Sequence, residues 1–328
     1  MTATAHELLP GRSEERRRPG RAKTRRKVAI ASMLAPAVAG LVVFFLYPLI
    51  ASLYYSFTRY DLLSSPQWIG FKNYQFMFGK DPLIWQAARN TLWFVVILVP
   101  IRVVCSLAIA GLLVRARRAA GFWRTLFYLP ALVPPVASVV AFVFLFNPGT
   151  GPVNVILKWL GIDGPLWFND PNLAKPSLVL LGVWVVGDIM IIFLAALLDV
   201  PAEQYEAASL DGANGWQKVR FVTLPHISPV ILFAGITGVI AALQYFTEAA
   251  VASAVASGKA TVGGGNGDVL GYPDDSLLTY TQWLYFKGFA NYQLGYASAM
   301  AVMLFVVAAF FLVLLLRKVK AFTPEDVS

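Results

Sequence analysis

The sequence predicts an all-α integral membrane protein with six transmembrane helices. Of its 328 residues 58% are hydrophobic and only 14% charged, against about 25% charged in an ordinary soluble domain. Six separate apolar runs each hold roughly 20 residues or more, enough to cross about 30 Å of hydrocarbon at about 1.5 Å per residue. The basic residues gather before and between these runs instead of covering a face, so the formal charge of +9 suits membrane orientation and argues against nucleic-acid binding.

The chain opens on a basic tail, residues 1–27, whose nine Lys and Arg repel one another with nothing apolar to bury; it reads as disordered and cytoplasmic. The run at 28–57 is about twice the length of a signal-peptide core, and it reads as an uncleaved first span punctuated by Pro36 and Pro48. A polar, aromatic segment from Thr58 to Trp85 follows. Further spans are expected at 87–114, 125–146, 177–198, 227–250 and 295–316, ahead of a tail at 319–328. With the N-terminus inside, 18 of the 27 Lys and Arg lie on the inner side and 8 outside, Arg102 falling within a span. That asymmetry predicts a multi-pass membrane protein with both termini cytoplasmic.

Between the spans, Pro148–Pro152 is expected to turn and Val153–Leu160 to form a short helix at the interface. Trp68, Trp85, Trp159, Trp167 and Trp283 fall near span edges, where an indole anchors in the headgroup region or, on the other reading, stacks on a ligand. The glycine-rich stretch Ser257–Asp275 is expected to be a mobile loop. Cys105 is the single cysteine, so no internal disulfide forms; inside a span it reads as a small hydrophobe. His6 and His226 are the two histidines, and they supply neither a metal-ligand set nor a base paired with a nucleophile.

One block is too polar for its surroundings. Residues 201–225 lie between two apolar runs yet carry Glu206, Asp211, Lys218 and Arg220, which hydrocarbon would not accommodate. Charge counting places the block in the cytoplasm. Pro201 stops the preceding span; Ala202–Leu210 is expected to be a short helix that Gly212 ends, and Trp216–Val222 a second one that stops before Pro225. The result is a surface helix–turn–helix.

This block, Glu206-Ala207-Ala208, then Gly212, then Val222-Thr223-Leu224-Pro225, resembles the EAA loop of binding-protein-dependent ABC transporter permeases. The family pattern has Ile where this chain has Val222, and Asp211-Gly212-Ala213 is similar to the carbohydrate-uptake branch. Phe45–Pro48, Tyr55–Phe57, Trp68–Tyr74, Asn90-Thr91, Leu129-Pro130, Gly151–Asn154 and Gly295–Ala299 look like further family landmarks, the opening ones resembling the MalF-like or glycerol-phosphate first subunit. Lys259–Gly265 departs from the family pattern, which puts local contact with a binding protein in doubt. The resemblance implies a MetI-like bundle with cytoplasmic coupling helices. It implies that Glu206, Ala207, Ala208, Asp211, Gly212, Leu224 and Pro225 couple to a separate cytoplasmic ABC ATPase dimer. It further implies a second, MalG-like permease subunit, an extracellular solute-binding protein and surrounding lipid as partners. The other reading of the block is a stable surface hairpin.

The chain has no Gly-x-x-x-x-Gly-Lys-Ser/Thr run, so ATP and magnesium are expected in the partner and no cofactor in this chain. Transport, not catalysis, is the expected function. Ionisable residues in spans usually face a bundle interior or a water-filled path. By resemblance, the fourth and fifth spans line that path, making Asp188, Gln244, Thr247 and Glu248 its candidates. Trp184 and Tyr245 either stack on a sugar ring or pack in the core, and Arg102 with Asp188 either serves the path or forms a structural ion pair. The solute is expected to be a mono- or oligosaccharide, or glycerol phosphate. The alternative is a proton-coupled secondary carrier using Asp188 and Glu248.

Overall fold

The computed structural model describes residues 19–116, 120–259 and 269–319. The glycine-rich stretch around Gly263–Gly267 and most of both tails lie outside the described residues. The chain divides into two units, residues 1–51 and 52–328.

The first unit holds α1 (Pro19–Leu41), which passes through a π-helical turn (Val42–Leu46) into α2 (Tyr47–Tyr55). Helix begins at Pro19, inside the stretch read as tail. Lys27–Tyr55 forms one of three helices long and apolar enough to cross a membrane unbroken.

In the second unit a short antiparallel hairpin stands ahead of the helices. Strands β1 (Thr58–Arg59) and β2 (Gln67–Trp68) pair Thr58 with Trp68 and Arg59 with Gln67. Helix α3 (Lys72–Gly79) follows, and its buried Asn73 donates to the carbonyls of Ser56 and Thr58 at 2.8 and 2.9 Å. An apolar segment emerging from a span would otherwise leave those carbonyls unpaired.

The central column is α4 (Ile84–Arg115), the second unbroken span. It packs against α8 (Ala174–Trp184), α9 (Gly187–Leu198), α13 (Ser228–Leu243) and α15 (Tyr280–Tyr285). Phe94 and Leu98 of α4 meet Val139 and Phe142 of α6 (Pro135–Leu145), Leu178 of α8, and Ala249 and Ala252 of α14 (Thr247–Ala256) in the largest apolar cluster. The last unbroken span lies in α16 (Leu294–Val319).

Two spans expected to be continuous are bent pairs. Ala120–Leu132, containing α5 (Ala120–Tyr128), and α6 meet at 97°. Pro135 has no N–H to give and Pro134 drives Val133 into an extended conformation, ψ 130°. Helices α8 and α9 meet at 47° without a proline. There Arg102 Nη2 and Ser106 Oγ of α4 donate to the carbonyls of Val185 and Val186, each at 3.5 Å; Val186 O also accepts the Met190 N–H at 2.9 Å as α9 begins, so polar side chains from the neighbouring helix cover the corner. Gly187 sits at this corner because a Cβ there would lie 2.5 Å from the Phe127 carbonyl oxygen.

The expected span at 227–250 is also interrupted. Helix α13 ends at Leu243 and α14 starts at Thr247, leaving Gln244–Phe246 non-helical. Thr281 Oγ1 donates to the freed Tyr245 carbonyl at 3.1 Å. The interface helix expected after Pro148–Pro152 is α7 (Pro152–Trp159). Asn154 holds the segment beneath it, donating to Pro165 O at 3.1 Å and accepting from Trp167 Nε1 at 2.7 Å.

Candidate functional site: a coupling hairpin and two cavities

The polar block folds as a helix–turn–helix. Its first arm is α10 (Ala202–Leu210). At the turn the Ala213 N–H donates to Ala208 O at 2.9 Å and the Gly212 N–H to Ser209 O at 3.1 Å. These are the two bonds of a Schellman motif, which needs a left-handed residue at its centre. Gly212 supplies it with φ +77°. The second arm starts at Asn214, which forms a reciprocal capping box with Gln217.

The second arm differs from its expected form. Helix α11 (Gly215–Lys218) runs into a π-helical turn (Val219–Thr223) and then α12 (Leu224–His226), so helix does not stop before Pro225. Pro225 follows directly on the π-helical turn, where the Leu224 N–H donates to Val219 O five residues back and the regular i→i−4 ladder is already broken. The hydroxyls of Tyr205 and Thr223 meet at 2.8 Å, and Lys218 Nζ donates to Ser209 Oγ at 2.7 Å; both tie the arms together.

Glu206, Ala207, Asp211 and Gly212 are exposed on this hairpin, while Ala208 is half-buried. Leu210 is 90% exposed and Trp216 69%, an apolar cost that an unpartnered polar loop does not explain. Leu224 and Pro225 line an apolar groove of about 790 Å³ at the hairpin's base, with Phe221, Arg220 and residues of α4 and α13.

Inside the bundle, two cavities of about 300 and 200 Å³ share Leu98, Arg102, Tyr245 and Glu248. Gln244 and Thr247 line the larger, and Asp188 the smaller. Arg102 Nη2 lies 3.4 Å from Asp188 Oδ1. Five of the six path candidates therefore converge. Trp184 does not: it packs on Phe142, ring centroids 5.3 Å apart, and lines neither cavity. Tyr245 packs against Phe94 at 4.7 Å while still facing both cavities.

A second polar centre escaped the sequence reading. Asp81 is buried just before α4 and accepts from Trp283 Nε1 at 3.0 Å and Tyr296 Oη at 2.6 Å. Lys287 Nζ lies 3.9 Å from it and 4.5 Å from the Trp283 ring centroid. Nearby, burial first and the Asp81 charge second push the Tyr280 phenol above its ordinary range, so it stays a donor to Met300 O. The usable signal was an acid three residues before α4, which reads equally as a helix cap. Among the described residues, no group of three or more His, Cys, Asp or Glu is placed to hold a metal ion.

A bundle of unbroken and bent apolar helices around polar-lined cavities, with an exposed polar hairpin, defines a membrane permease. Residues 102–320 match the family described as "Binding-protein-dependent transport system inner membrane component", and the chain belongs to that family. It is 36% identical over 309 residues to the probable ABC transporter permease protein YesP of Bacillus subtilis (strain 168), covering 93% of this chain and 95% of that one. It is 38% identical over 220 residues to the lactose transport system permease protein LacF of Rhizobium radiobacter, covering 66% of this chain and 72% of the relative. In fold it is similar to a chain of a bacterial alginate ABC transporter solved with an alginate pentasaccharide-bound periplasmic protein. That match has a TM-score of 0.71 at 22% identity and covers 93% of this chain and 99% of that one. The chain is thus an ABC permease subunit, multi-pass and not an enzyme, and the proton-coupled carrier alternative is set aside.

Proposed function

We propose that this chain forms half of the pathway of an ATP-driven importer for a carbohydrate, alongside a second, MalG-like permease subunit. An extracellular solute-binding protein delivers the solute, and a separate ATPase dimer binds ATP and magnesium. The bundle sits in the cytoplasmic membrane with both termini and the hairpin inside. The observation that carries the reading is the hairpin itself. Its Glu206, Ala207 and Ala208 lie on one short exposed helix, closed by Gly212 in the left-handed conformation, and its apolar Leu210 and Trp216 stand in solvent awaiting a partner.

In this arrangement Glu206 gives the ATPase a charged hydrogen bond, and the small side chains of Ala207 and Ala208 allow close approach. Leu224 and Pro225, at the hairpin's base, pass its displacement to α13. Gln244, Tyr245, Thr247, Glu248 and Asp188 line the path. A carbohydrate cargo is supported by the lactose relative and by Asp211-Gly212-Ala213.

The test is uptake of labelled sugar into proteoliposomes holding the chain with its partner subunits and binding protein. Uptake requires ATP and persists when the proton gradient is collapsed. Uptake driven by the gradient without ATP would overturn the reading.

A further inference from the structure

The apolar groove of about 790 Å³ extends well beyond Leu224 and Pro225 at its hairpin end. Its long walls are two helical stripes. Val95, Val99 and Val103 recur at every fourth position of α4, and Ser228, Leu232, Gly235 and Val239 share one face of α13. The two helices touch along the floor, where a Cβ on Gly238 would lie 2.9 Å from Val99 Cγ1. Over Gly235 the space is open, with nothing within 4 Å of a Cβ placed there. The α13 stripe runs from Ser228 to Val239, about 16 Å at about 1.5 Å per residue. That is close to half of the roughly 30 Å hydrocarbon core, so the groove is about as long as one leaflet is deep.

Charge is confined to the hairpin end. Among the described residues lining the groove, Arg220 is the only ionisable one. It forms no salt bridge among the described residues, and its guanidinium lies 5.7 Å from the ring centroid of Phe221, which is 68% exposed. Helix α13 starts in the same mouth, and Ile227 gives it no side-chain cap, so the positive end of its dipole adds to the charge of Arg220.

From these features we propose that the groove binds an anionic phospholipid, with the phosphate on Arg220 and one acyl chain laid between α4 and α13 toward Val95 and Val239. A guanidinium matches phosphate oxygens through paired hydrogen bonds. Lipid tails are as apolar as the groove wall, so close packing and the charged contact hold the lipid, not escape from water. A helix about 10–12 Å across would rest on the rims of a furrow between two touching helices. Its floor would stay empty and forfeit the dispersion contacts that an acyl chain supplies. The seated lipid packs against Phe221, Leu224 and Pro225 and braces the base of the hairpin. This site needs only the bundle and a bilayer, and it does not rest on the importer reading.

The experiment is native mass spectrometry of the full chain, equilibrated in detergent with phosphatidylglycerol or with phosphatidylcholine of the same acyl length. A second measurement uses phosphatidylglycerol with a photoreactive diazirine in its acyl chain. The unaltered chain should retain phosphatidylglycerol about fivefold better than phosphatidylcholine, about 1 kcal/mol. The diazirine should label α4 between Val95 and Val103 or α13 between Ser228 and Val239. Arg220→Gln should bring phosphatidylglycerol retention down to the phosphatidylcholine level, and Arg220→Lys should keep part of the preference. Gly235→Phe, whose ring enters the open space, should lower retention of both lipids and remove the groove labelling. Circular dichroism and thermal unfolding establish that each variant is folded, and Gly235→Leu gives a smaller filling of the same space. Equal retention of the two lipids, labelling confined to other segments, or unchanged retention in the folded Arg220 and Gly235 variants would each overturn the proposal. In the assembled transporter, a photoreactive side chain at position 235 should cross-link to lipid. Cross-linking to the second permease subunit instead would place a protein helix in the groove and also overturn it.

Discussion

The hydroxyls of Tyr205 and Thr223 lie 2.8 Å apart and join the two arms of the polar hairpin. Tyr205 is on the same short helix as Glu206, and Thr223 immediately precedes Leu224-Pro225. A push on the first arm therefore reaches the base of α13 through this bond as well as through the turn. Tyr205→Phe should cost about 1 kcal/mol of hairpin stability, the usual net value of such a bond. The expected outcome is reduced coupling, read as ATP hydrolysed per sugar imported, with little change in membrane insertion.

At the turn, Gly212→Ala probes conformation alone. A Cβ there meets nothing within 4 Å, so sterics do not enter, but φ +77° costs an alanine roughly 1–2 kcal/mol. Gly212→Asn should cost less, because asparagine tolerates the left-handed region. Co-purification of the ATPase should fall in the order Gly, Asn, Ala.

The Asp81 centre gives a stability prediction. Asp81→Ala leaves Lys287 buried without its carboxylate and strands the Trp283 and Tyr296 donors. Removing one partner of a buried pair costs about 3–5 kcal/mol, and Asp81→Asn, which keeps an acceptor, should cost less. Thermal unfolding in detergent should show a large drop in Tm for the alanine variant and a smaller one for asparagine.

Asn90 makes a comparable claim within a span. Its Nδ2 donates to Asp275 O at 2.8 Å and Leu278 O at 2.9 Å, and its Oδ1 accepts from Lys175. Next to it, Thr91 Oγ1 accepts from the Tyr280 N–H at 2.8 Å. Asn90→Leu fills the space but leaves the Leu278 carbonyl unpaired and the Asp275 carbonyl with only the Leu278 N–H, costing about 1–3 kcal/mol for the stranded group. The readout is faster proteolysis of the loop preceding Tyr280.

The apolar runs were legible because hydrophobic length is a strong signal, and the hairpin because four anchors stood at fixed spacing. Their internal breaks were less so. Pro134-Pro135 marked one corner openly, but the break at Val185-Val186 depends on Arg102 and Ser106 arriving from a helix some 80 residues earlier in the chain. Gln244, Thr247 and Glu248 were picked out as polar groups in a span and Tyr245 as an aromatic beside them; all four lie at the break around 244–246 and line a cavity. Trp184 carried the same signal and packs on Phe142 instead, since an aromatic near a path is marked no differently from one in a core. Asn73, Asn90 and Asn154 show why several of the landmark motifs hold small amides: each donates to two loop carbonyls that lack strand or helix partners.

The most direct measurement compares the unaltered chain with Glu206→Ala in proteoliposomes carrying the full set of subunits, scoring ATP-driven sugar uptake and ATPase retention together. Loss of a charge-assisted hydrogen bond worth about 1.5–3 kcal/mol predicts roughly 10- to 100-fold weaker ATPase binding. Uptake should be abolished while the protein stays inserted. Normal uptake with a normally bound ATPase would contradict the account.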